Sequence, residues 1–192
     1  MPTATARSNT THTTDTTRAH VLRVARDLIQ TRSYLGFSFQ DIADQVGIRK
    51  ASLYHHFPTK EALGVEVLQE STAAFRAWSE ALPGRPAQKV AAYCRMFREA
   101  LHAGSGVCPA GALAPGWDCI DETLRQAVRG LRAAQVDWLE GVLREMGLGR
   151  QAGPAAAALF AACQGALLSA RMTGRVEDFD QAVAFARQAL SL

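Results

Sequence analysis

Between residues 37 and 63 the chain reads FSFQDIADQVGIRKASLYHHFPTKEAL, and its polar side chains are spaced to meet another molecule. Over residues 50–56 only Leu53, with Phe57 and the turn residue Ile48, falls where a helix buries side chains; Lys50, Ala51, Ser52, Tyr54 and His55 are left facing outward. That face is small at its front and polar throughout. On a short helix behind a tight turn, such a face implies entry into the major groove of DNA.

The other reactive side chains are the cysteines Cys94, Cys108, Cys119 and Cys163. Cys108, in GSGVCPAGALAP, precedes an expected helix start, where amide dipoles favour a thiolate, and Cys119 follows in WDCIDE. Both are candidate redox residues; the other reading of Cys108 is an ordinary small buried side chain. Cys94 and Cys163 lie on apolar stripes and are expected to be inert. His102, Cys108 and Cys119 are too irregularly spaced to argue for a metal, so no metal or other cofactor is expected. Ser, His and Asp residues form no recognisable catalytic arrangement, so the chain does not read as an enzyme.

The elements that must position the outward face carry local signals of their own. Ser38 is a good N-cap with Asp41 three residues on, and Phe37 and Ile42 occupy the flanking positions of a hydrophobic staple. Phe39, Ile42, Ala43 and Val46 then form one apolar stripe, and Gly47 tolerates the positive φ that ends a helix. Pro58 stops the short helix over 50–56, and Thr59 caps a further one.

IADQVGIRKASLYHHFPTKEAL resembles the N-terminal signature of the TetR family of bacterial transcriptional regulators, with the pattern IA..VG....LY.HF..KE.L. The resemblance implies a dimer on a palindromic double-stranded DNA operator, and roles for particular residues. Gln40, Lys50, Ala51, Ser52 and His55 occupy base-reading positions: Gln suits adenine, Lys guanine, and Ala a thymine methyl. Ser38, Tyr54, His56 and Lys60 occupy phosphate-contacting positions. It also implies a C-terminal helical domain enclosing a small-molecule effector pocket, for which Tyr93, Phe97, Cys108, Trp117, Trp138 and Phe160 are the candidate lining residues. The default is a repressor released by that effector. A thiol sensor using Cys108, similar to an electrophile-responsive branch of the family, and a protein-interaction adaptor without DNA affinity are the alternatives. The chain departs from the family at two positions. Arg49 stands where a capping Ser or Thr is common, and Ser33 stands before Tyr34 where Gly is usual, leaving Gly36 to take the turn.

Composition sets the frame around these motifs. The 192 residues are 48% hydrophobic and 20% charged, as in a globular protein able to bury its own core. Residues 1–65 hold eight basic and five acidic side chains and the remainder thirteen of each, so the net charge of +3 resides in the DNA-reading third. No apolar run near bilayer length and no hydrophobic leader is read, so no membrane partner and a cytoplasmic location are expected. The Thr-rich residues 1–16 are expected to be a disordered arm, 17–82 the DNA-binding domain with a first helix over 17–31, and 83–192 an effector and dimerisation domain. Helical periodicity continues throughout: a long segment over 121–146, an alanine-rich one over 154–173 and a last one over 178–190. With no strand alternation anywhere, the fold class is all-α. The small residues Ala157, Ala158, Ala161, Ala162, Gly165 and Ala166 allow close helix approach, and the resemblance implies that the last two helices pair with those of a second copy.

Overall fold

The computed structural model describes residues 8–102 and 107–192. Among the described residues there are α-helices and short 3-10 turns and no strand. Helix α1 runs Ser8–Arg32, α2 Phe39–Val46, α3 Lys50–His56 and α4 Lys60–Ala81. After the break at 82–85 come α5 (Pro86–His102), the single turn α6 (Pro109–Ala112), α7 (Glu122–Glu145), α8 (Ala152–Thr173) and α9 (Val176–Ala189).

The first helix begins nine residues before the expected boundary. A helix already nucleated by the apolar stripe Val21, Leu22, Ala25, Leu28 and Ile29 extends at small cost per residue, even through threonines. Of the arm expected over 1–16, residues 1–7 lie outside the described residues, as do residues 103–106 of the glycine-rich connector and the side chain of His102.

Two apolar clusters organise the molecule. The first joins α1–α3 and the start of α4 to Val107, Ala110, Leu113, Ile120, Leu124 and Leu131, so part of α6 and α7 completes the core of the N-terminal unit. The second holds Phe75 of α4 with the inner faces of α5, α7, α8 and α9. Helix α4 therefore contributes Leu63, Val67 and Leu68 to one core and Phe75 to the other. Ion pairs Arg18–Glu66 and Arg26–Glu70 (2.6 Å) hold α1 along its length.

Contrary to the sequence expectation, one segment, Gly149–Thr173, is long and apolar enough by length and composition to cross a membrane. Alanines carry its apolar character without a run of large residues. In this fold Ala156, Leu159, Cys163 and Leu167 are buried, and α8 packs between α7 and α9.

The turn after α1 also differs from expectation. Gly36 keeps an ordinary backbone, and the left-handed position falls on Ser33, at φ 64° and ψ 163°, a region nearly reserved for glycine.

Candidate nucleic-acid interface and effector cavity

Helix α2 starts on a complete capping box. The Ser38 hydroxyl accepts from the Asp41 amide (3.4 Å), while the Ser38 amide (2.8 Å) and hydroxyl (2.6 Å) donate to the Asp41 carboxylate. These donors, with Arg32 nearby, hold the Asp41 carboxyl below its usual range. Gly47 ends α2 at φ 77°, and its amide and that of Ile48 both reach the Ala43 carbonyl, so the chain reverses sharply into α3.

Helix α3 is anchored by Leu53 and Phe57, both wholly buried, with the Arg18 guanidinium 5.1 Å over the Phe57 ring. Lys50, Ala51, Tyr54 and His55 are exposed as expected; Ser52 and His56 are half-buried, His56 against Phe57. Tyr54 is held by Phe39, ring to ring at 5.2 Å. Arg49 caps α3 with its backbone only. Gln40 donates to Asp44 (2.7 Å) on its own helix face. Ser38, Lys50, Tyr54 and Lys60 converge on one shallow groove floored by Phe37 and Phe39 and closed by Pro58 and Thr59. Thr59 is the cap expected of it, accepting from the Ala62 amide at 3.0 Å.

Lys60, expected to contact phosphate, is also held within the protein. Its ammonium donates to the Tyr34 carbonyl (2.6 Å) and to that of Phe37, and lies over both rings at 4.6 and 4.1 Å. Burial holds it below the usual lysine value. An ammonium has three protons, so one donor is left for an outside partner.

The largely apolar cavity lies where α4 enters the second core. About 280 Å³ in size, it is bounded by Gln30 of α1; Ser71, Ala74, Phe75 and Trp78 of α4; Met96, Phe97 and Ala100 of α5; Cys108 and Pro109; and Leu131, Gln135 and Leu167. Gln30 donates to the Val107 carbonyl at 3.0 Å. Gln135, the one buried side-chain amide among the described residues, accepts from the Tyr93 hydroxyl at 3.0 Å.

A family model described as bacterial regulatory proteins, tetR family, matches residues 21–67, the part of the chain that carries the capping box, the Gly47 turn and α3. The N-terminal part of the chain, residues 21–67, thus matches the TetR family. Among curated relatives, the transcriptional repressor NemR of Escherichia coli K12 is 34% identical over 64 residues, 33% of this chain and 32% of that protein. The repressor DhaR of Mycobacterium sp. GP1 is 40% identical over 53 residues, 28% of this chain and 27% of that one. The match thus spans about a third of the length of these relatives. A solved TetR-family transcriptional regulator from Agrobacterium tumefaciens is similar along nearly the whole molecule: 29% identity, TM-score 0.84, covering 91% of this chain and 98% of that one. Reduced E. coli NemR shares the fold at TM-score 0.76 and 21% identity, over 90% of this chain and 96% of that one.

Of the residues expected to line the cavity of the second domain, Phe97 and Cys108 do so. Tyr93 is wholly buried behind Gln135, and Trp138 packs edge-on to Phe75 at 5.8 Å and against Trp78 at 5.7 Å, so both support the wall from outside. Trp117 belongs to the first core and lies under the guanidiniums of Arg125 and Arg129, at 5.7 and 5.5 Å. Phe160 faces a separate cavity of about 280 Å³ with Val107, Gln164 and Leu168, and Arg132 stands 5.6 Å over its ring. The sequence undervalued α4: Ser71, Phe75 and Trp78 lie one helical turn apart, a pattern that signals a shared face but not what the face encloses. Cys119 is exposed and Cys108 half-buried. The helix following Cys108 is a single turn, so few aligned peptides stand behind that thiol, fewer than the sequence reading supposed.

Proposed function

We propose that the chain is a DNA-binding transcriptional repressor, not an enzyme, which acts in the cytoplasm as a homodimer on a palindromic operator and leaves it when a small, mostly apolar effector fills the cavity between α4, α5 and α7. The observation that carries this reading is the family-matched helix-turn-helix with its groove of Ser38, Lys50, Tyr54 and Lys60 at one end of α4, and the cavity at the other. Lys50, Ala51, Ser52 and His55 read bases, with Gln40 joining by giving up its bond to Asp44; Ser38, Tyr54, His56 and the remaining donor of Lys60 meet phosphates.

Pairing with a second copy is supported by the outer face of α8. Ala158, Ala161, Gly165, Leu168 and Met172 are exposed at spacings of three and four residues, one seam of small then large apolar side chains. Phe185 of α9, 73% exposed, extends it. Two half-sites one helical turn apart then double the sequence that a short helix reads alone. An effector releases DNA only if it binds the non-DNA-binding arrangement more tightly.

The test is selection of genomic fragments by the full-length protein, followed by binding at several salt concentrations. Recovery of a palindrome, and relaxed base preference for Lys50→Ala, are expected; no affinity for any fragment at low salt would leave an interaction adaptor instead. A thiol-controlled release is the second reading, favoured by Cys108 lining the cavity. Release by electrophiles that is unchanged in Cys108→Ser would remove it.

A further inference from the structure

The cavity that Phe160 faces stands back to back with the one walled by α4. Val107 faces the former and Cys108 the latter, and the neighbours Arg132 and Leu131 of α7, and Leu168 and Leu167 of α8, divide in the same way. The wall on the Phe160 side is apolar but for two side chains, Arg132 and Gln164. Arg132 is drawn over the Phe160 ring at 5.6 Å, and among the described residues no carboxylate pairs with it. Gln164 follows Phe160 by one turn on the same face of α8, so guanidinium and carboxamide reach the cavity side by side.

The carboxamide is set closely against α6. A Cβ at Gly111 would come within 2.8 Å of the Gln164 oxygen and 3.9 Å of its nitrogen, so the missing side chain is what lets Gln164 lie there. That nitrogen is buried and has no hydrogen-bond partner. An unpaired buried donor is a cost that an apolar side chain of the same length would avoid. An acceptor arriving from outside removes it.

We propose that this cavity is a second ligand site, which takes a small apolar carboxylate. The hydrocarbon part lies against Val107, Val128 and Phe160, while the carboxylate accepts from the Gln164 amide with one oxygen and from the Arg132 guanidinium with the other. Charge and donor inventory select this class. A hydrocarbon leaves the Gln164 nitrogen unpaired, and an amine is repelled by Arg132. Volume sets the size: a dry cavity of about 150 Å³ holds benzene, so one of about 280 Å³ admits a fused two-ring acid. Leu168, at the rim, also belongs to the exposed seam of α8, so the bound acid lies beside the face proposed for the second copy.

Binding is read without DNA, by calorimetric titration of the full-length protein with naphthoate and with the corresponding neutral alcohol. Naphthoate should bind roughly tenfold or more tightly than the alcohol, and Arg132→Met should abolish that preference. Gln164→Met should also weaken naphthoate binding, and by removing an unpaired buried amide it should raise the melting temperature of the unliganded protein. A lowered melting temperature with naphthoate binding intact would make Gln164 a packing residue and overturn its role. Ala100→Phe fills the cavity walled by α4 and should leave naphthoate binding unchanged, with melting curves reporting that each variant is folded. No binding of naphthoate by the wild-type protein, equal binding by Arg132→Met, or binding lost in folded Ala100→Phe would each overturn the proposal.

Discussion

At the scale of single residues, the DNA-facing unit divides its polar side chains between recognition and support more evenly than their types suggest. Lys60 is a support: its bonds to the Tyr34 and Phe37 carbonyls tie the start of α4 to the turn before α2. Lys60→Ala should therefore cost roughly 1–3 kcal/mol by leaving those carbonyls unpaired. Thermal denaturation without DNA would register it; a variant as stable as the parent that merely binds DNA less well would restore the simple phosphate role. Ser38 also supports. Ser38→Ala should cost about 1 kcal/mol as the cap is lost. The Asp41 carboxyl it holds is depressed in the folded state, so that part of the stability is in place above the usual carboxylate range and is lost as pH falls through the lowered value. Asp41→Asn should flatten the acid limb of stability against pH, and an unchanged limb would contradict the assignment. Ser33 carries strain at φ 64°. Ser33→Gly should raise stability by about 1 kcal/mol, the relief of strain less the extra entropy of glycine. A lower melting temperature would show that the Ser33 side chain does something its backbone does not reveal.

At the scale of elements, α4 is the link. Its first turns share a core with α2 and α3, and its later turns form the wall of the cavity through Ser71, Phe75 and Trp78. Two further ties join the same units. Gln30 of α1 lines the cavity and holds the Val107 carbonyl, and Arg171 of α8 donates to the carbonyls of Gln30 (3.1 Å) and Thr31 (2.5 Å) at the end of α1. A guanidinium suits a helix C-terminus, where the carbonyls lack partners and the dipole is negative. The cavity wall on α4 is thus continuous with the core of the helix-turn-helix, and the Gln30 and Arg171 hydrogen bonds tie α1 to the second unit. Arg171→Ala should raise amide exchange around the end of α1 and leave that of α9 unaltered; equal exchange in both proteins would deny the tie.

At the scale of the whole molecule, the proposed control acts on the separation of two α3 helices, which only a dimer possesses. Met172 and Phe185 are 80% and 73% exposed, large apolar side chains on the α8–α9 face that a lone chain leaves in water. The double substitution Met172→Glu with Phe185→Glu should give a monomer by sedimentation, with operator affinity lower by about 100-fold or more as the second half-site is lost. A dimer that persists would move the interface to another face.

The helix boundaries and caps of residues 37–63 were legible because their signals are local: a cap and its partner three residues apart, a glycine where φ must be positive, and a proline at the stop. All-helical architecture was legible for the same reason, since helical periodicity is written within a few turns. The sequence by itself therefore determined the fold class, the helix-turn-helix and the outward face of α3. Contacts between distant residues were decided only by tertiary structure. Those contacts turned Lys60 inward, placed Trp138 behind the cavity wall and brought Phe75 and Trp78 to its lining. They also buried Cys94 of α5 and Cys163 of α8 in one apolar cluster. An apolar stripe states that a face is covered, and the packing angle of its neighbours decides by what.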